Sequence, residues 1–182
     1  MKSSTGIDAI PYAIVPTDAL ERDFDRLLVP NGPALTRLAA SYTNTLSDRD
    51  DLLQEIALAV WQALHRFRGE CSERTFLFRI AHNRAIAYLS RSRSQRAETV
   101  DEIEIHDPSP DPESGLEQVQ RADRLQRAIR ALPVAYRQAI TLTLEGLPYE
   151  EIADVIGISE SNVGVRLTRA RQLLRELLEK QK

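Results

Sequence analysis

The sequence predicts an all-α fold: two small helical domains joined by an acidic, proline-containing linker, the second with a helix-turn-helix. Three observations predict it. Apolar residues recur at helical spacing along most of the 182 residues, and no useful length shows the alternation of a strand. Glycine is scarce, at seven residues, whereas the helix-favouring Ala, Leu, Arg and Glu are abundant. In residues 94–116 the helical period disappears and Pro108, Pro110 and Pro112 stand among acids, the composition of an extended, self-repelling tether.

Residues 1–16 mix Ser, Thr, Gly and Pro without a period and read as a flexible tail. The first domain is expected over residues 17–93. Asp18 with Glu21 opens a short helix to about Leu28, and Pro30, Gly32 and Pro33 are expected to break it. A second helix then runs to about Thr45. Ser47 with Asp50 three residues later marks the next helix start, and Leu52, Ile56, Ala59, Val60 and Ala63 form its buried stripe. Gly69 interrupts between Phe67 and Cys71. Ser72 can cap the following helix, whose stripe is Phe76, Leu77, Ile80 and Ile86, to about Leu89. The second domain is expected over residues 117–182. Helical pattern resumes at Leu116, with Val119, Leu125 and Ile129. Pro133 suits the first turn of the next helix, which carries Ala139, Ile140 and Leu144 and stops at Gly146.

Composition narrows the function classes. No stretch approaches the ~20 apolar residues that span a bilayer, and no basic patch followed by an apolar run marks a signal peptide. Cys71 is the single cysteine, which rules out an intrachain disulfide and fits a reducing cytoplasm; a redox role for it competes with an incidental one. The net charge of -3 hides an asymmetry. Arg66, Arg68, Arg74, Arg79, Arg84, Arg91, Arg93 and Arg96 crowd a stretch with only Glu70 and Glu73 against them. Residues 98–120 then hold eight acids and no Lys or Arg. An enzyme is disfavoured. Asp50, Asp51 and Glu55 could chelate magnesium, but no second carboxylate cluster on an ordered segment completes a site. His65, His82 and His106 are isolated, there is no phosphate-cradling glycine loop, and no cofactor is expected.

The strongest local signal is YEEIADVIGISESNVGVRLTRARQLL, from Tyr149 to Leu174. Ile152, Ala153 and Ile156 face inward from a short helix, which Gly157 ends by tolerating a left-handed conformation. Ile158 plugs the turn and Ser159 caps the next helix. Val163, Leu167, Ala170, Leu174 and Leu177 then share one face. Ser161, Val165, Thr168, Arg169 and Gln172 point away, with Asn162 and Arg166 on one flank and Arg171 and Arg175 on the other. Helix, glycine turn and helix with a basic outer face make a major-groove reader. Arg can pair with guanine and Asn with adenine, and Val165 is either a thymine-methyl contact or a scattered surface valine.

The segment LPVAYRQAITLTLEGLPYEEIADVIGISESNVGVRLTRARQLLRELL resembles region 4 of extracytoplasmic-function sigma factors of RNA polymerase. DRDDLLQEIALAVWQALHRFRGECSERTFLFRIAHNRAIAYLSRSR resembles their region 2. Two long matches in the right order reach from about Asp18 to Glu179. The resemblance implies a protein that binds core RNA polymerase and directs promoter-specific initiation, rather than a stand-alone helix-turn-helix regulator. Region 2 would hold the beta-prime clamp helices and melt the minus-ten element. Region 4 would hold the beta flap and read the minus-thirty-five element. The linker would thread toward the active centre, and an anti-sigma factor becomes a natural partner. Phe76 replaces the family's usual tryptophan. The run Asn162-Val163-Gly164-Val165-Arg166 departs from the common Thr, Val, Lys, Ser, Arg, which leaves the target promoter sequence open.

Residue chemistry fits these roles. Asp48, Asp51 and Glu55 share a helix edge beside Leu52 and Gln54, the latter two read as exposed. The resemblance turns that edge into the polymerase contact, where physics alone also allows a solvated first turn. The basic block supplies charge and rings for unstacked bases. The minus-ten candidates are Arg66, Arg68, Arg74, Phe76, Arg79, Asn83 and Arg84, and Phe67, Phe78 and Tyr88 supply further rings, although core is the stronger reading for each ring taken alone. The minus-thirty-five candidates are Ser161, Asn162, Val165, Arg166, Thr168 and Arg169.

Overall fold

A computed structural model describes residues 17–98 and 116–180. The expected break at Pro30 is absent: α1 runs unbroken over Thr17–Ala40 with both prolines inside it. Each proline removes one N–H and costs ~3 kcal/mol in a helix interior. The carbonyls left without an N–H belong to Arg26 and Val29, and those residues, like Pro30 and Pro33, are exposed, so water can meet them. Asn31 adds a side-chain bond, Nδ2 donating to the Leu27 carbonyl at 2.8 Å. On the opposite side Leu27, Ala34, Leu35, Leu38 and Ala39 are buried. At roughly 1.5–3 kcal/mol for each large aliphatic side chain, that face outweighs the prolines.

Helix α2, Leu46–Leu64, starts earlier than Ser47 suggested. Its cap is Thr45, whose Oγ1 accepts from the Asp48 N–H at 3.0 Å. Its inner stripe is the expected one apart from Ala63, which is half-buried: Leu52, Ile56 and Val60 are fully buried and Ala59 nearly so. Leu52 is therefore core and cannot be the exposed neighbour of the acidic edge. Ser72 caps α3, Glu73–Glu98, accepting from the Thr75 N–H at 3.0 Å. The buried face of α3 is Leu77, Phe78, Ala81 and Ala85, with Phe76, Ile80 and Ile86 along its margins. The helix runs through Glu98, five residues past the expected boundary at 93.

Helix α4 spans Leu116–Ala131 and α5 spans Val134–Leu144. Pro133 is the N-cap of α5 rather than a residue of its first turn. Gly146, at φ 82°, turns the chain into α6, Tyr149–Ile156, and α7 follows over Glu160–Glu179. Helices α1–α3 pack on one another, as do α4–α7, and α3 also lies against α6. The buried side chains of both groups join in one apolar cluster. The tail 1–16 and linker residues 99–115 lie outside the described residues.

Candidate nucleic-acid interface

Local chemistry positions the recognition helix. Gly157 adopts φ 71° and ψ 41°, the left-handed region that a side chain disfavours, and ends α6. Ser159 Oγ accepts from the Asn162 N–H at 3.3 Å and starts α7. Val163, Leu167, Ala170 and Leu174 hold the helix against the core, joined from α6 by Ile152, Ala153 and Val155. The opposite side offers Ser161, Asn162, Val165, Thr168, Arg169 and Gln172, all exposed, with Arg171 and Arg175 beyond them. Val165 is 58% exposed, an apolar patch with no folding use. Arg166 differs from its neighbours: it is half-buried and turns toward α5, donating to Gln138 Oε1 at 3.5 Å. Thr168 donates its hydroxyl to the Gly164 carbonyl at 3.0 Å, which leaves its methyl and an acceptor facing out.

The basic block is arranged less uniformly. Arg68, Asn83 and Arg84 are exposed, and exposed Arg66 donates through Nε to His65 at 3.1 Å. Gly69, at φ 75°, bends the loop between α2 and α3. Phe76 is half-buried against Phe67, ring centroids 4.5 Å apart. Phe78 is fully buried and cannot stack on a base. Arg74 lies over that ring at 5.4 Å and donates to the backbone carbonyl of Glu145. Arg79 is half-buried, with its Nε enclosed and unpartnered.

On α2, Asp51 and Gln54 are exposed and Asp48 is half-buried. Glu55 receives two bonds from Arg91 Nη2 of α3, both 2.7 Å, so it stands partly neutralised. Beside this edge Phe24, Leu58 and Trp61 line an open groove between α1 and α2, rimmed by Glu21 and Asp25. Among the described residues no group of three His, Cys, Asp or Glu is placed to hold a metal ion, and no helix is long and apolar enough to cross a membrane.

Sequence reasoning missed the contacts between the halves, which involve Arg37, His82, Gln138 and Glu145. One signal was available. Glu145 is an acid at the C-terminal end of α5, where the helix dipole disfavours it, so it needs a distant cation.

Known proteins bear on this arrangement. The sigma-70 region 2 family matches residues 27–95, and the sigma-70, region 4 family matches residues 122–174. The ECF RNA polymerase sigma-E factor of Escherichia coli (strain K12) is 33% identical over 168 residues, 85% of each chain. RNA polymerase sigma factor CnrH of Cupriavidus metallidurans is 34% identical over 170 residues, 87% of this chain and 88% of its own. The structure of CnrH in complex with the cytosolic domain of CnrY superposes with a TM-score of 0.66 at 28% identity, covering 89% and 91% of the two chains. That of sigma factor RpoE with the anti-sigma factor NepR from Bartonella quintana gives 0.67 at 26%, covering 87% and 98%.

Proposed function

Because the chain belongs to the extracytoplasmic-function sigma factors of RNA polymerase, we propose that its two halves divide promoter recognition between them. As a sigma factor it binds core RNA polymerase and directs promoter-specific initiation. Residues 17–93 take the region 2 role. The edge of Asp48, Asp51, Gln54 and Glu55 meets the beta-prime clamp helices, with Leu52 behind it as core support. Arg66, Arg68, Arg74, Phe76, Arg79, Asn83 and Arg84 engage the minus-ten element and assist melting. Residues 117–182 take the region 4 role, meeting the beta flap and reading the minus-thirty-five element through Ser161, Asn162, Val165, Arg166, Thr168 and Arg169. The acidic residues 94–116 connect them through a basic channel of the polymerase. The setting is the cytoplasm, the regulon one answering stress or an external signal, and the restraining partner an anti-sigma factor of the kind bound to RpoE.

One observation carries this reading: α7 buries Val163, Leu167 and Ala170 while presenting polar and basic side chains plus an exposed valine on its other side. The test is retention on core polymerase followed by run-off transcription. Wild type is expected to bind core and yield a promoter-directed transcript. Asp51→Arg with Glu55→Arg is expected to weaken core binding by at least about ten-fold with the helical circular dichroism unchanged, through like-charge repulsion of a basic partner. Unaltered binding of that variant would reject the acidic edge as the contact. Strong binding to duplex promoter without core would favour a stand-alone regulator.

A further inference from the structure

The outward face of α7 has an apolar centre. From Ser161 to Arg175 the helix carries four arginines and no acid, the charge that draws it to duplex DNA. Yet the residues at the middle of that face are Val165 and Thr168, three apart and both exposed. Val165 is 58% exposed and serves no core. Thr168 spends its hydroxyl proton inside the helix, donating to the Gly164 carbonyl at 3.0 Å. That bond takes its donor off the surface and leaves its methyl outward. Arg166, next to Val165 in the chain, does not cover the pair, because it turns aside toward Gln138 of α5. Ser161 lies one turn before Val165 and Gln172 one turn after Thr168, so polar groups frame the two methyl-bearing side chains.

Two properties suit this pair to reading a base. It is stiff: Val165 branches at Cβ and is held at χ1, and Thr168 is held by its bond to Gly164, so little freedom is lost on binding. It also has the right spacing. Residues three apart on a helix have Cβ atoms about 5–6 Å apart, and successive bases of one strand rise about 3.4 Å and are displaced sideways by the twist. The two side chains therefore match neighbouring bases. In the major groove thymine is the base that presents an apolar group, the C5-methyl beside its O4 acceptor. Cytosine presents a donor there and no methyl.

We propose that Val165 and Thr168 form a methyl-reading step, by which α7 selects two neighbouring thymines in the minus-thirty-five element. The proposal rests on the sigma-factor reading of α7 and names the base chemistry that this face takes. The test uses holoenzyme reconstituted with the full chain. Promoters are first selected from a pool randomised across the minus-thirty-five element, and the selected sequences are expected to hold two adjacent thymines. Each thymine is then replaced by deoxyuridine, which keeps the O4 acceptor and the pairing and lacks only the methyl. Run-off transcription at limiting holoenzyme is expected to fall about four-fold for each methyl removed, the worth of burying one such carbon. Val165→Ala and Thr168→Ser are each expected to lose most of the preference for thymine over uracil at one of the two positions and to keep it at the other. Val165 is exposed and Thr168→Ser retains the hydroxyl that bonds Gly164, so neither change opens a cavity. A selected element without adjacent thymines, or equal transcription from thymine and uracil templates, would overturn the methyl step. So would variants that weaken both templates alike, since that pattern marks a contact with something other than the methyl. A wild-type chain that yields no promoter-directed transcript from any sequence would instead reject the sigma-factor reading on which the step depends.

Discussion

Gly164 stands in the second turn of α7, where a helix gains nothing from glycine. A Cβ there would meet only the Tyr149 ring, at 3.8 Å, an ordinary contact. No other backbone approaches Gly164 closely among the described residues. Gly164→Ala is therefore expected to stabilise the protein by up to ~1 kcal/mol, visible as a rise of a few degrees in Tm. A fall in Tm would reveal a neighbour besides Tyr149. Arg169, exposed on the same helix, decides between reading and positioning. If it pairs with a guanine edge, Arg169→Ala costs roughly 1–3 kcal/mol on the best promoter and relaxes one base position. A uniform loss across promoter variants, with the salt dependence flattened by about one unit of slope, would mark a phosphate contact. These exposed residues were legible because the period of a single helix decides which way they face. Phe78 was less so, because it sits among charged and aromatic neighbours and only packing against the other helices makes it core; Leu52 was placed in the core by the period of α2 and misplaced only where it was also read as exposed beside the acidic edge.

Helix ends were legible where the signal is chemical and local: Ser72, Gly157 and Ser159 act as their side chains, or lack of one, require. Helix α1 was not, because proline is a local signal and the burial that overrides it is not. The start of α2 fell to Thr45 over Ser47, two residues of like chemistry only two positions apart. Between α3 and α5 lies a feature with a pH consequence. His82 is 4% exposed, and burial lowers its pKa from 6.5 to about 4. Gln138 donates to its Nε2, so the neutral ring is the form that fits, with Arg166 beyond Gln138. A proton binds the unfolded chain near pH 6.5 and the folded one only near pH 4. Stability from this site is thus complete above about pH 6.5 and is lost as pH falls toward 4, at ~1.4 kcal/mol per unit. His82→Gln is expected to flatten urea-melt stability between pH 5 and pH 7 relative to wild type; an unchanged slope would mean that other groups set it.

Over the whole molecule, the division into two helical groups was readable from the loss of helical period and from Pro108, Pro110 and Pro112 between them, since a break in periodicity needs no knowledge of packing. How the groups meet was not, because Arg37 and Glu145 are 108 residues apart and nothing in either local sequence names the other. Because both halves belong to one chain, they meet at an effective concentration set by their connection and not by the concentration of the protein. A contact too weak to hold two separate molecules at micromolar concentration therefore suffices to keep one chain closed. Dilution cannot open it, because both surfaces travel on the same chain. Raised salt can loosen its ion pair, and a partner touching both halves at once draws on the same proximity: its second contact forms on a surface already nearby, so two modest contacts add up to firm retention.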